Sequence, residues 1–388
     1  MKKIIAALSA CVIAPICAGS TVHAESDDAS ADKFVYRISG EDAYIYYYEG
    51  TDAVLSIPSE INGHAVVGID ENVFMGLEGL TEVIIPDSVK TIGSRAFSAC
   101  PNLKTVTIGN SVSEIGSFAF SACPELQEIK VDDKNESFSS LNSSLTDESG
   151  TTLLLYAGAN EAVIPDSVTS IGTGAFLGKT GLTSAIIPDK AEYIGDYAFS
   201  GCTALKSISI PNSVSYTGAN CFMSCSELES VTLSQNTKAI PDNIFRSCSS
   251  LDDLGCTELS GIYIPENTAG IDNCGIGKYY NIRSGEIENI ENFTVYGKIG
   301  SSAQDYCETN DIDFQSFMLG DVNKDGVLDG TDATLTLQEY TIVLSGMEAN
   351  FKAYEKAAAD YNFDGIVDGT DATLILTEYT RIISQIPE

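Results

Sequence analysis

A solenoid of short stacked strands with irregular return segments, followed by a small all-α module, is the fold this sequence predicts, and two repetitions predict it. Phenylalanine recurs every 23 residues at Phe74, Phe97 and Phe120, and again at Phe176, Phe199, Phe222 and Phe245. A fixed period of this length marks a solenoid, because a single short unit cannot bury its own apolar face and a stack of them can. Further on, the acidic segment 321–332 is written a second time at 360–371, 39 residues later, and each copy runs directly into a helix-like stretch.

The chain opens on a targeting segment. Lys2 and Lys3 precede an apolar run over residues 4–18, and Val22 and Ala24 provide the small residues a signal peptidase accepts. Residues 1–24 are therefore expected to be removed, leaving Glu25 as the mature start. The tetrad Leu8, Ser9, Ala10 and Cys11 matches an acylation box, but only residues 4–7 precede it as an apolar lead, so secretion is expected over lipid anchoring. No later stretch is long and apolar enough to span a bilayer. The formal net charge of −34 becomes −36 once the two lysines of residues 1–24 are gone, which disfavours nucleic acid and anionic membranes as partners.

After a short segment at 25–32, the repeat region is expected over 33–317, opening with a cap from Tyr44 to Tyr48 through Ile57 and Pro58. Each unit reads Leu-x-x-Val/Ile-x-Ile, alternating like a strand, then Ser-Val-x-x-Ile-Gly-x-x-Ala-Phe, in which glycine and a buried aromatic shape the return. Leu80, Leu103 and Leu126 keep the step, as do Leu182, Leu205, Leu228 and Leu251. So do Cys100 and Cys123, then Cys202, Cys225 and Cys248, with Lys179 standing where a further cysteine would fall. A small, weakly polar thiol suits a crowded solenoid edge, so buried thiols are expected over stacked disulfides or a metal site. Cys221, Cys256, Cys274 and Cys307 lie off the column, and no C-x-x-C motif offers a zinc site.

Alternation sends Glu82 and Ile84, Thr105 and Thr107, Glu128 and Lys130, Ser184 and Ile186, Ser207 and Ser209, and Ser230 and Thr232 to the outer face of the strands. These are mostly small and polar, a solvated sheet without the Trp, Tyr or Arg anchors of a tight protein hot spot. The step from Phe120 to Phe176 exceeds one period by 33 residues, so an insertion near 130–160 is expected as a hairpin or an enlarged repeat. Past Leu251 the repeats decay. Phe293 to Tyr296 reads as a closing strand, followed by a capping helix from about Ser301.

These repeats resemble the BspA-like leucine-rich repeats, most clearly at residues 85–97 and 164–176. The resemblance implies a leucine-rich-repeat solenoid of the kind used for binding.

The duplicated acidic segments read as calcium loops. Oxygen side chains fall at loop positions 1, 3, 5, 9 and 12, as Asp321, Asn323, Asp325, Asp329 and Asp332, then Asp360, Asn362, Asp364, Asp368 and Asp371. Gly326 and Gly365 occupy position 6, and the carbonyls of Val327 and Ile366 supply position 7. Aspartate in place of glutamate at position 12, and the lack of a helix leading into the first loop, depart from the EF-hand. The pair of loops with exit runs at 333–340 and 372–379 closely resembles a type I dockerin over residues 318–388. That resemblance implies two Ca2+ ions and, as partner, a cohesin module of a scaffoldin. It also implies cohesin contacts at Gly330, Thr331, Leu337, Gln338 and Ile342 in one copy and Gly369, Thr370, Leu376, Thr377 and Arg381 in the other. Leu337 and Leu376 read equally as core, since leucine at helical spacing is usually buried.

No catalytic centre is expected. The mature chain holds one histidine, His64, placed in a turn, and no tryptophan. The reading is a secreted, non-catalytic binding or adhesion subunit that docks onto a cellulosome-like scaffold involved in polysaccharide degradation, outside the cell or at the bacterial surface. The ligand of its solenoid is a protein, a cell surface or plant material. The alternatives are a scaffold-borne enzyme, such as a glycoside hydrolase, with its site in the insertion or an end region, and a purely architectural spacer.

Overall fold

A computed structural model describes residues 21–22, 33–158, 160–246, 261–272, 276–281, 286–347, 350–351, 353–362, 364 and 366–384. Two ladders of parallel strands run along the stack. In the first, Val54–Ser56, Glu82–Ile85, Thr105–Ile108 and Glu128–Val131 pair in register, one repeat per strand. Glu161–Val163 with Ser184–Ile186, and Ser207–Ser209 with Ser230–Thr232, extend this face beyond the insertion. Alternation holds: Val83, Ile85, Val106, Ile108 and Ile129 are buried while their neighbours point outward. The second ladder consists of two-residue strands on the return side, such as Thr91–Ile92, Glu114–Ile115 and Tyr193–Ile194.

The 23-residue period becomes an aromatic stack. Phe74, Phe97 and Phe120 lie face to face with ring centroids 4.8 and 5.1 Å apart, and Phe176, Phe199, Phe222 and Phe245 follow at 4.6, 5.6 and 5.7 Å. The shorter of these separations approximate the spacing of paired strands, about 4.8 Å, so within each run one ring per turn stacks on the next, and the two runs are interrupted at the insertion, where a cavity of about 250 Å³ borders Phe120. The cysteine column has an equally simple cause. Cys100, Cys123, Cys202 and Cys225 donate Sγ–H to the carbonyls of Phe74, Phe97, Phe176 and Phe199 at 3.2–3.3 Å. A thiol is small enough for the site and satisfies a carbonyl at the Phe position of the turn before. Cys100, Cys123 and Cys202 are buried and unbridged, as expected of the column, and the off-column Cys221 and Cys307, for which pairing was open, are buried and unbridged too. Cys248, Cys256, Cys274 and Leu251 lie outside the described residues.

The insertion is a hairpin of Phe138–Leu141 and Ser144–Asp147, continued antiparallel by Thr152–Leu155, which rejoins the return ladder at Ser170–Ile171. Tyr156 replaces the missing phenylalanine, its ring 4.6 Å from that of Phe176. Three residues after Phe176, Lys179 replaces cysteine, and its longer side chain reaches the carbonyl of Leu126.

Both ends are closed. Phe34–Ser39 and Asp42–Tyr48 form the opening hairpin, with Thr21–Val22 paired to its outer strand. Tyr48 packs on Phe34 and Phe74, whereas Tyr46 and Tyr47 are exposed, so only part of the tyrosine cluster serves the cap. His64 begins the strand His64–Ile69 instead of lying within the preceding turn. At the far end, Thr294–Gly297 is followed by α1 (Ser302–Asn310), N-capped at Ser301, and Asp313–Ser316 then pairs parallel with Thr294–Gly297. Among the described residues no helix is long and apolar enough to cross a membrane.

Candidate metal loops and docking face

The C-terminal module contains α2 (Gly330–Leu344), α3 (Ala353–Ala359) and α4 (Gly369–Ile383). α2 and α4 start where the loops end. Asp329 and Asp368 are their N-caps, accepting from the backbone N–H of Thr331 and Thr370 at 2.6 Å. Asp332 and Asp371 close reciprocal capping boxes, accepting from the N–H of Asp329 and Asp368 at 2.9 Å. Loop positions 9 and 12 therefore set the helix starts as well as offering oxygens.

The two loops share one internal pattern. Asp321 accepts from the N–H of Asp325 and Gly326, Asn323 from Asp325, and Asp325 from Val327, all at 2.9–3.1 Å. Asp360 and Asn362 likewise accept from Asp364, and Asp364 from Ile366. Gly326 turns the first loop at φ +80°, which glycine adopts without strain. Asp321, Asp332, Asp360 and Asp371 are buried, and burial raises the carboxyls of Asp332 and Asp371 above their ordinary range, opposed by the amides that donate to them.

Among the described residues no three acidic, His or Cys side chains converge on one point, since the loop carboxylates turn toward backbone amides. The donor set is nevertheless entirely oxygen: carboxylates, one amide and one carbonyl per loop. That chemistry fits a hard divalent cation and no soft transition metal.

The structure distributes the candidate docking residues over two exposed faces. Thr331, Gln338, Thr370, Thr377 and Arg381 are exposed, and Gly330, Ile342 and Gly369 half-buried. Leu337 and Leu376 are each 47 % exposed, so the core reading of these leucines is wrong. The inward positions of the helices are Ala333 and Thr336 on α2, and Ala372 and Ile375 on α4. Val343, Leu344, Ile382 and Ile383 extend an exposed apolar strip at the helix ends that repeat comparison alone did not single out. The copies also differ. Glu339 is buried and its Oε1 accepts from the N–H of Asn350 and Phe351, while Glu378 accepts from Arg381 Nε at 2.7 Å on the surface.

A leucine-rich solenoid carrying a duplicated loop-and-helix module defines a modular repeat protein. The chain belongs to the BspA type leucine rich repeat family, whose profile matches six copies over residues 54–147 and 155–267, and residues 319–378 match the dockerin type I domain. Type I dockerin domains bind calcium and dock to cohesins. The solenoid is similar to the pneumococcal vaccine antigen PcpA (16 % identity, 78 % of this chain and 99 % of that one, TM-score 0.46). It is also similar to a leucine-rich repeat protein from Bacteroides ovatus (24 %, 69 % and 70 %, 0.42) and a leucine rich cell surface protein from Faecalibacterium prausnitzii (20 %, 78 % and 95 %, 0.33). No curated protein matches the sequence.

Proposed function

We propose that the chain is a secreted, non-catalytic binding or adhesion subunit that docks through its C-terminal module onto a scaffoldin cohesin in a cellulosome-like assembly for polysaccharide breakdown. Each loop takes one Ca2+. The ligands are Asp321, Asn323, Asp325, Asp329, Asp332 and the Val327 carbonyl in the first loop, and Asp360, Asn362, Asp364, Asp368, Asp371 and the Ile366 carbonyl in the second. The observation that most supports docking is the matched outward placement of Thr331 with Leu337 and of Thr370 with Leu376. Leucines at equivalent sites of two helices that leave about half their surface uncovered in the module gain burial from an incoming surface. Secretion rests on the pattern of residues 1–24, and processing there would also remove the short strand Thr21–Val22. The solenoid, with its small polar strand face, supplies the second binding activity.

Titrating the full chain against a panel of type I cohesins, with calcium and with chelator, tests the docking. Calcium-dependent binding to at least one cohesin is expected; no binding in calcium across the panel defeats it. Incubation with glycan and protein arrays tests the solenoid. Ligand retained without turnover is expected, and cleavage of a bound glycan would favour the enzyme alternative.

A further inference from the structure

The C-terminal module is seated on the solenoid and does not trail from it. α3 lies against the strand Gly261–Tyr263. Lys356 of α3 reaches the outer face of the strand ladder, where its Nζ donates to Ser230 Oγ at 3.1 Å. Ser230 and Thr232, read from the sequence as solvated positions, are half-buried there. Tyr354 packs edge-on against Tyr296 and Phe317, with centroids 5.2 and 5.5 Å apart, and Phe317 lies 4.1 Å from Tyr263. Tyr296, on the last turn of the stack, joins Val322, Leu328, Tyr354, Ala358 and Ile375 in one apolar cluster. Solenoid and module thus share a core.

Both loops hold the same helix. From the first, Lys324 pairs with Glu355 at 3.0 Å and lies 4.6 Å over the Tyr354 ring, while the N–H of Gly320 donates to the Ala358 carbonyl at 3.0 Å. The second begins where α3 ends, the N–H of Asp360 donating to the Lys356 carbonyl at 3.0 Å. Asp360 itself walls a seam of about 20 Å³ with Ser230, Leu233, Gly261 and Tyr263. Asn362, Asp364 and Ile366 border an adjoining cleft of about 650 Å³, whose other wall is the strand face at Ser184, Ser207 and Ser209.

We propose that calcium loading of the loops and seating of the module on the solenoid are one coupled equilibrium, so that the solenoid face raises the calcium affinity of the second loop and calcium tightens the seat. The proposal rests on the calcium reading above. An empty loop gathers four carboxylates that repel one another, and a cation that draws them together fixes Asp360 at the end of α3. The solenoid fixes the same helix from its other side. Ordering α3 through one contact reduces what the other must order, and such coupling is reciprocal.

Calorimetric titration of calcium into the full chain tests it, comparing the wild type with Ser230→Lys. That change lies 126 residues before Lys356 and sets a like charge against the Lys356 ammonium; because position 230 shares its seam with Asp360, Tyr263→Ala, which removes a ring packed on Phe317 and adds no charge, is titrated beside it and should lower the affinity in the same sense. Calcium affinity at one site is expected to fall roughly 5- to 50-fold. Hydrogen exchange on the wild type gives a second readout free of any variant: the amides of Ser230–Thr232 and Gly261–Tyr263 should exchange faster with chelator. If the wild type binds calcium but both variants bind it equally well, and these amides exchange alike with and without chelator, the coupling is overturned while the calcium sites stand. If the wild type takes up no calcium, the calcium reading fails and the coupling goes with it.

Discussion

Lys179 Nζ donates to the carbonyl oxygen of Leu126, 53 residues earlier, and so bridges the two halves of the solenoid across the base of the inserted hairpin. The same ammonium lies 5.8 Å from the Tyr156 ring. At the equivalent place in regular turns a cysteine reaches only a phenylalanine carbonyl 26 residues back. The insertion moves the acceptor further away, and a lysine has the length to reach it.

That lysine is 6 % exposed, and burial pulls its amine down to about 8, against the nearby Cys123, Cys202 and Glu125, which hold it up. An unfolded chain keeps it near 10.5, a difference worth about 3 kcal/mol of preference for the neutral form. Below about 8 both states are protonated and the fold carries the full cost of the buried charge. Between about 8 and 10.5 the unfolded state binds more protons, so this group's contribution to stability rises with pH. Lys179→Met should therefore be more stable than wild type at pH 7, with the advantage shrinking toward pH 10.5. Chemical denaturation of both proteins across that range is the measurement; a constant difference contradicts the argument.

The cysteine column acts through packing and Sγ–H donation. Cys123→Ala should cost roughly 1 to 2 kcal/mol, from lost contacts and from leaving the Phe97 carbonyl without its donor. Reductant alone should leave the melting temperature of the wild type unchanged. A large drop with reductant would mean that disulfides staple the stack.

The strand face and the aromatic stack were legible because Leu, Ile and Phe at a fixed step have only one way to be buried together. The duplicated loop-then-helix module was legible for a related reason: the same spacing of Asp and Asn residues written twice, 39 residues apart and each time before a helical run, is not the pattern of a core. What the sequence could not show was contact between modules. Ser230 is 126 residues from Lys356 and unremarkable in its own repeat, and nothing local says that α3 will cover it. Only the alternative core reading of the two leucines fails, and for another reason. Helical spacing marks a face, but Thr336 and Ile375 take the inward side that Leu337 and Leu376 leave to solvent.

Chelation should divide the chain. The regular turns are held by apolar columns and ring stacks that contain no acidic loop, so residues 54–222 should keep their protease resistance without calcium. The module should lose its resistance, since its helices begin at loop residues Asp329 and Asp368. Limited proteolysis with and without chelator reads this directly, and new cleavage among the regular turns would count against it.

The duplication raises the question of whether the module docks in one orientation or two. Thr331 and Thr370 occupy matching exposed positions at the helix starts, as do Leu337 and Leu376 further along. The match fails toward the helix ends, where half-buried Ile342 faces one copy and exposed Arg381, tied to Glu378, the other. Two faces alike at one end and different at the other should both bind a cohesin, with unequal affinity. Thr331→Arg and Thr370→Arg each place a long cation on one face only. Each single change should weaken binding modestly by removing one orientation, and the double change should weaken it at least tenfold, because a desolvated cation at an interface centre is costly. Cohesin affinities of the wild type, both single variants and the double variant decide the matter. Loss of binding from one single change would leave docking intact but reduce it to one orientation, and full affinity in the double variant would mean that the contact face lies elsewhere on the module.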